Sequence, residues 1–150
     1  MRKSAFVLAF FMFLFLPTHV FAHCQVPCGI FDDAARVSEL EENITTIEKA
    51  IKLINELSGK SDAQSVNQRT RWVVVKEQHA EKIIEMVSDY FLAQRVKQPA
   101  DAKADQSKYL SSLASHHEVM VAAMKAKQGA DSSSVARLKK AVAGIASLYK

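Results

Sequence analysis

The stretch DAARVSELEENITTIEKAIKLINELS, residues 33–58, decides the fold. Val37, Leu40, Ile44, Ile47, Ile51 and Ile54 recur at alternating spacings of three and four, which places them on one face of a helix. Asp32 or Asp33 can accept the first unpaired backbone N–H groups, and Gly59 supplies a C-terminal stop. Lys60 to Ser65 is a polar link. A second helix is predicted from about Val66 to Val96, its stripe passing through Trp72, Val75, His79, Ile83, Met86 and Tyr90, with Pro99 ending the region. A third runs from about Asp105 to Lys127 on Leu110, Leu113, His117, Met120 and Met124, and Gly129 closes it. Ser132 to Ser134 are expected to cap a fourth, with Val135, Leu138, Val142, Ile145 and Tyr149 facing inward. No period-two pattern of useful length interrupts these stretches. A helix with one apolar face must bury it against another, so the expectation is an all-α fold. Its natural form is an antiparallel up-down four-helix bundle over residues 32–150.

Upstream, the first 22 residues have the composition of a signal peptide. Arg2 and Lys3 open it, Ala5 to Leu16 is an unbroken apolar run, and Val20-Phe21-Ala22 offers a small-residue cleavage site after Pro17. That run is shorter than the roughly 20 residues a membrane span needs. Residues 1–22 are therefore read as removed, an uncleaved N-terminal anchor being the alternative. Removal leaves 128 of the 150 residues, enough for one domain with a core of its own. It also leaves 18 Lys and Arg against 16 Asp and Glu, a net charge of +2. No basic run carries interleaved aromatics, which argues against a nucleic-acid partner. The expected product is an exported protein, periplasmic or extracellular, with no membrane attachment after processing.

Between signal and bundle lie His23-Cys24-Gln25-Val26-Pro27-Cys28-Gly29-Ile30-Phe31, which hold both cysteines of the chain. Cleavage after Ala22 makes His23 the first residue. Its free amine and imidazole then adjoin the amide and thiolate of Cys24, with the Cys28 thiolate four positions on. Nitrogen and sulfur donors in a planar set suit Ni(II) or Cu(II) rather than Mg or Ca. Pro27 fixes its own φ, and Gly29 permits a bend directly after the second thiolate. Residues 23–31 thus read as a metal-binding hook. The bland alternative is a Cys24–Cys28 disulfide, common in oxidising compartments. It leaves the leading histidine and the flanking proline and glycine without a purpose. A structural zinc site usually needs four protein ligands, and three side chains are at hand.

The motif His-Cys-x-x-Pro-Cys-Gly-x-aromatic at a processed terminus resembles the nickel hook of nickel-containing superoxide dismutases. Arg71-Trp72-Val73, Lys76-Glu77-Gln78-His79-Ala80-Glu81 and Ser88-Asp89-Tyr90-Phe91 are similar to that family's second helix. The later helices match only in type. The resemblance implies one nickel ion per subunit, bound by the amine and imidazole of His23, the amide and thiolate of Cys24 and the thiolate of Cys28. It implies a homohexamer that shields each hook, and superoxide as substrate, with His23, Cys24 and Cys28 carrying catalysis through Ni(II)/Ni(III) cycling. Two thiolates and a deprotonated amide are strong donors of the kind that bring Ni(III) within reach. Around the hook, Phe31 stands where known members have tyrosine, Gln25 where they have an acidic residue, and His79 where they have arginine. Glu39 matches a glutamate that, together with that arginine, orients the terminal imidazole. Outer partners of this kind fix a ligand histidine, so Glu39 is expected to accept from His23 with His79 behind it. Pro27 shapes the turn. A histidine at 79 brings a group that titrates near neutrality and so a pH-sensitive network. The second reading, of a different class, is a periplasmic protein that holds or delivers nickel or copper through the same hook without turnover.

Three other features are read as structural. A lone histidine on an inner helix stripe, as His79 would be without the hook, is usually a hydrogen-bonded core residue. His116 and His117 point about 100° apart on a helix, so one is expected to pack and the other to face solvent. Asn43-Ile44-Thr45 is a glycosylation sequon in form only, being inside the first helix.

Overall fold

The computed structural model describes Gln25, residues 27–101 and residues 105–149. Residues 1–22, expected to be a signal peptide, and His23 and Cys24 lie outside the described residues. Four helices account for most of the chain, and no strand occurs among the described residues. Helix α1 spans Asp33–Glu56 and α2 spans Ala63–Glu85, continuing as a π-helical segment over Met86–Arg95. Helix α3 spans Ser107–Gln128, and α4 spans Ser132–Ala146 with a terminal 3₁₀ turn at Ser147–Tyr149. Helix α1 packs on α2 and α4, α2 on α3, and α3 on α4, closing a ring around one core. Neighbours run antiparallel. Asp33 at the start of α1 meets Arg95 at the end of the π segment, and Asn55 near the end of α1 donates to the Ala130 carbonyl between α3 and α4 at 2.9 Å.

Each helix start is served by an aspartate, at α3 by Asp105, which accepts from the Ser107 N–H at 2.8 Å. Asp32 accepts from the Ala35 N–H, Asp62 from Ser65 and Asp131 from Ser134, each at 3.0 Å. Such caps satisfy backbone donors that the helix cannot. Asp131, not the Ser132–Ser134 run, is thus the cap of α4; those serines occupy its first turn. Asp62 likewise starts α2 three residues before the expected Val66, because its carboxylate is the first acceptor in the link.

The apolar stripes of α1 and α4 lie where the sequence puts them: Leu40, Ile44, Ile47, Ile51 and Ile54 are buried, as are Val135, Leu138, Val142 and Ile145. The third helix differs. Its buried residues are His116, Val119, Ala122, Ala123 and Ala126, while Leu110, His117 and Met124 are exposed. The expected stripe is rotated off the true one because small alanines fill the contact where α3 approaches its neighbours closely. His116 packs and its neighbour His117 faces solvent, as their angular separation requires. On α2 the stripe holds at Ile83, then the π segment changes the period so that both Tyr90 and Phe91 are buried.

Lys76 ties α2 to the far end of the bundle. Its side chain is 4% exposed, and Nζ donates to the carbonyls of Ala126 at 3.1 Å, Gly129 at 2.8 Å and Lys127. These are the last carbonyls of α3 and its exit, at the negative end of the helix dipole. Burial lowers the Lys76 pKa, and the carbonyls answer that cost. No described helix is long and apolar enough to cross a membrane.

Candidate metal centre

The described part of the hook is a tight turn. Pro27, Cys28 and Gly29 form it, closed by a bond from the Ile30 N–H to the Pro27 carbonyl at 3.1 Å. Cys28 has φ +28° and Gly29 φ +88°, so two successive residues sit in the left-handed region. Glycine takes that conformation freely and cysteine does not, and strain of this kind gathers at ligand clamps. The Cys28 thiol is free and exposed. Among the described residues no cluster of three or more His, Cys, Asp or Glu side chains is arranged to hold a metal. Cys28 is the one thiol among the described residues, and its sulfur faces solvent on this turn.

A cleft of about 400 Å³ opens beside this turn, lined by Gln25, Pro27, Arg36, Glu39, Lys82, Glu85, Met86, Asp89 and Tyr90. Three of the five residues expected around the hook thus share one wall system: Gln25, Pro27 and Glu39. Glu39 projects from α1 nearly two turns in from its start at Asp33. Its Oε2 accepts from Arg36 Nη1 at 2.7 Å, and the Arg36 guanidinium carbon lies 5.8 Å from the Tyr90 ring centroid. A larger groove between α3 and α4 is lined by small residues and crossed by the Arg137–Glu118 ion pair, with no donor set for a metal.

His79 is placed differently from the expected arrangement behind the Glu39 carboxylate. Its Nδ1 is 2.7 Å from Asn43 Oδ1, and Asn43 Nδ2 donates to the Glu39 backbone carbonyl at 2.7 Å. The amide oxygen can only accept, so Nδ1 of His79 carries the proton. The link from His79 to Glu39 is a relay through Asn43, and the cation beside the Glu39 carboxylate is Arg36. Burial holds the His79 pKa below its usual value, and nearby Lys82 adds to the shift.

Phe31 leaves the hook and turns back onto the bundle. Its ring meets that of Tyr90 edge-on, with centroids 5.8 Å apart and planes at 84°. Arg95 lies over its face, the guanidinium carbon 4.6 Å from the centroid. The same guanidinium grips Asp33 in a fork, Nε to Oδ1 at 2.8 Å and Nη2 to Oδ2 at 2.6 Å, and the Tyr90 hydroxyl donates to Oδ1 at 2.7 Å. Arg95 and Tyr90 together hold the Asp33 pKa below the carboxylate range, Arg95 contributing most. Burial first and the Asp33 bond second push Tyr90 up to about 12. Sequence reasoning missed Asp33 and Arg95. They are 62 positions apart, and no local pattern links them.

A family model described as nickel-containing superoxide dismutase matches residues 18–150. No curated protein and no solved structure matches the chain.

Proposed function

Because the chain belongs to the nickel-containing superoxide dismutase family, we propose that it converts superoxide to O₂ and H₂O₂ at one nickel ion per subunit, held by residues 23–28. The observation that carries this reading is the free Cys28 thiol, presented on a left-handed turn next to Pro27, which itself lines the Glu39 cleft. Cleavage after Ala22 exposes the amine and imidazole of His23, which join the amide and thiolate of Cys24 and the thiolate of Cys28. Nickel in that donor set supplies one-electron cycling between Ni(II) and Ni(III), the chemistry the disproportionation needs.

The chain's own residues then have separate tasks. Glu39 accepts the free N–H of the His23 imidazole and so fixes that ring, while Arg36 fixes Glu39 and the Asn43–His79 relay holds the backbone beneath it. Arg36 and Lys82 put positive charge on a cleft wall that also carries Glu39, Glu85 and Asp89. Protons for peroxide come from solvent through the open cleft, because the Tyr90 hydroxyl is committed to Asp33 and is a weak acid at about 12. Phe31 has no hydroxyl to offer and acts as an anchor.

Export to the periplasm or the exterior belongs to the same proposal, since signal removal creates the amine ligand. So does assembly. Ile30, Leu110 and Leu148, which the helix order places toward the hook end of the bundle, are 82, 59 and 53% exposed, and a hexamer of the family's kind would cover such side chains. The test uses protein exported and processed by cells grown with nickel. Its N-terminal residue, nickel content and superoxide loss are measured on one sample. His23 at the terminus, near one nickel per chain and fast superoxide loss support the reading. Nickel without turnover makes the protein a carrier, and a different terminus or no nickel removes the hook argument.

A further inference from the structure

The contacts around Phe31 do more than close a helix end. Between Cys28 and α1 the hook is held weakly: Gly29 is conformationally free, Ile30 is 82% exposed, and one backbone bond closes the turn. Phe31 is the first side chain after the thiol that is gripped by the bundle. It is gripped from two sides, by the Arg95 guanidinium on its face and the Tyr90 edge. Both of those side chains converge on one acceptor, Asp33, whose side chain is only 17% exposed. A solvent-exposed ion pair contributes little, but a forked, partly buried one with a third donor has a fixed geometry.

The π segment is what makes the convergence possible. In an α-helix, residues five apart point about 140° away from each other. A π turn bonds residue i to i+5 and brings that pair back to one side. Tyr90 and Arg95 are such a pair. Here they meet on Asp33, and the Val96 N–H bonds the Phe91 carbonyl at 2.8 Å in the same wide spacing. A π-helical segment is rare, and where π turns occur they recur at functional sites.

We propose that Asp33, Tyr90 and Arg95 form a clasp on Phe31 that positions the hook, with Arg95 as its key residue. Holding the Phe31 ring fixes where the Pro27–Gly29 turn leaves the bundle, and hence where the Cys28 sulfur stands relative to the cleft. Arg95 is a positioning residue: it acts through Phe31 and touches neither metal nor superoxide. The aromatic face is all the clasp uses, so phenylalanine serves it as well as tyrosine. The inference rests on the reading of residues 23–28 as the nickel site, and it deepens that reading by naming what holds the site in place.

Two readouts separate the clasp from the site. On nickel-free protein, amide hydrogen exchange is followed at residues 28–31 and, as a control, through α1 and α4. Arg95→Gln and Phe31→Leu are expected to speed exchange at residues 28–31 while leaving both helices protected, and Arg95→Lys to restore part of the protection. On nickel-loaded protein, release to an excess of chelator is expected to be about tenfold faster in either single variant, the loss of one partly desolvated cation–π contact. The double variant is expected to be no faster than the single ones, since both remove the same contact. Three results overturn the clasp: unchanged exchange at residues 28–31, faster exchange through α1 and α4 in step with them, or additive effects in the double variant. If the unsubstituted protein binds no nickel, the metal-site reading fails while the exchange experiment still decides whether the clasp holds the turn.

Discussion

His116 offers a test of how the core beneath the hook responds to acid. Its ring has no exposed surface. Nδ1 lies 2.7 Å from the Ser112 carbonyl, so that nitrogen carries the proton, and Nε2 accepts from the Tyr149 hydroxyl at 2.8 Å. Burial holds the His116 pKa below the usual 6.5, the Ser112 carbonyl pulling the other way. With the folded pKa below the unfolded one, the unfolded chain binds more protons between the two values. The stabilisation is complete above about pH 6.5 and is lost as pH falls toward the folded pKa, by at most about 1.4 kcal/mol per pH unit for one proton. Removing the hydroxyl in Tyr149→Phe leaves Nε2 buried without a donor, at a cost of about 1–3 kcal/mol even at pH 7.5. For a chain of this length that corresponds to a fall in Tm of very roughly 3–10 °C. Urea unfolding of nickel-free protein at pH 7.5, 6.5 and 5.5 measures both effects in the unsubstituted chain, Tyr149→Phe and His116→Leu. The gap between the unsubstituted chain and His116→Leu should narrow on acidification, because only the former carries the imidazole. Parallel pH curves for those two proteins, or a Tyr149→Phe cost under about 0.5 kcal/mol, would refute the argument.

Three further outcomes follow from the geometry. Lys76→Met leaves the carbonyls of Ala126, Lys127 and Gly129 without their donor, and relief of the buried charge offsets only part of that. A net loss of about 2–4 kcal/mol is expected in denaturant unfolding, and a loss below 1 would mean that water replaces the ammonium freely. Glu39→Gln keeps the size of the side chain but weakens its acceptor and releases Arg36. Nickel affinity or superoxide turnover should drop about 10- to 100-fold, the usual effect of removing an outer partner of a ligand histidine, and unchanged values would place the His23 imidazole elsewhere. His79→Arg replaces a titrating group by a fixed charge. Because burial lowers the His79 pKa, the pH dependence of turnover that it causes lies below pH 6.5 and should vanish in the arginine variant. A profile already flat from pH 5.5 to 8 in the unsubstituted protein argues against any such role.

What the sequence revealed depended on whether a signal was local and large. The stripes of α1 and α4 consist of branched residues at constant period, and those helices lie as read. In α3 the burial is carried by Ala122, Ala123 and Ala126, whose weak hydrophobicity was outvoted by the bulkier Leu110 and Met124 on the outside. Along α2 a constant period could not survive the π segment, which buries Tyr90 and Phe91 together. The proposed hook was legible because its expected donors crowd into six consecutive residues after a segment with the composition of a signal peptide. Its supports were not, since Arg36 meets Glu39 in a pattern common on any helix surface, and Asp33 meets Arg95 only once α1 and α2 have both formed and packed. That division has a physical cause. A metal site needs its donors within a few ångströms, and neighbours in sequence meet that need most simply. The rigidity that keeps the donors in one place has to come from the bundle, and therefore from residues far along the chain. Phe31 stands at the junction: its identity belongs to the hook motif, and its function here belongs to Arg95 and Tyr90.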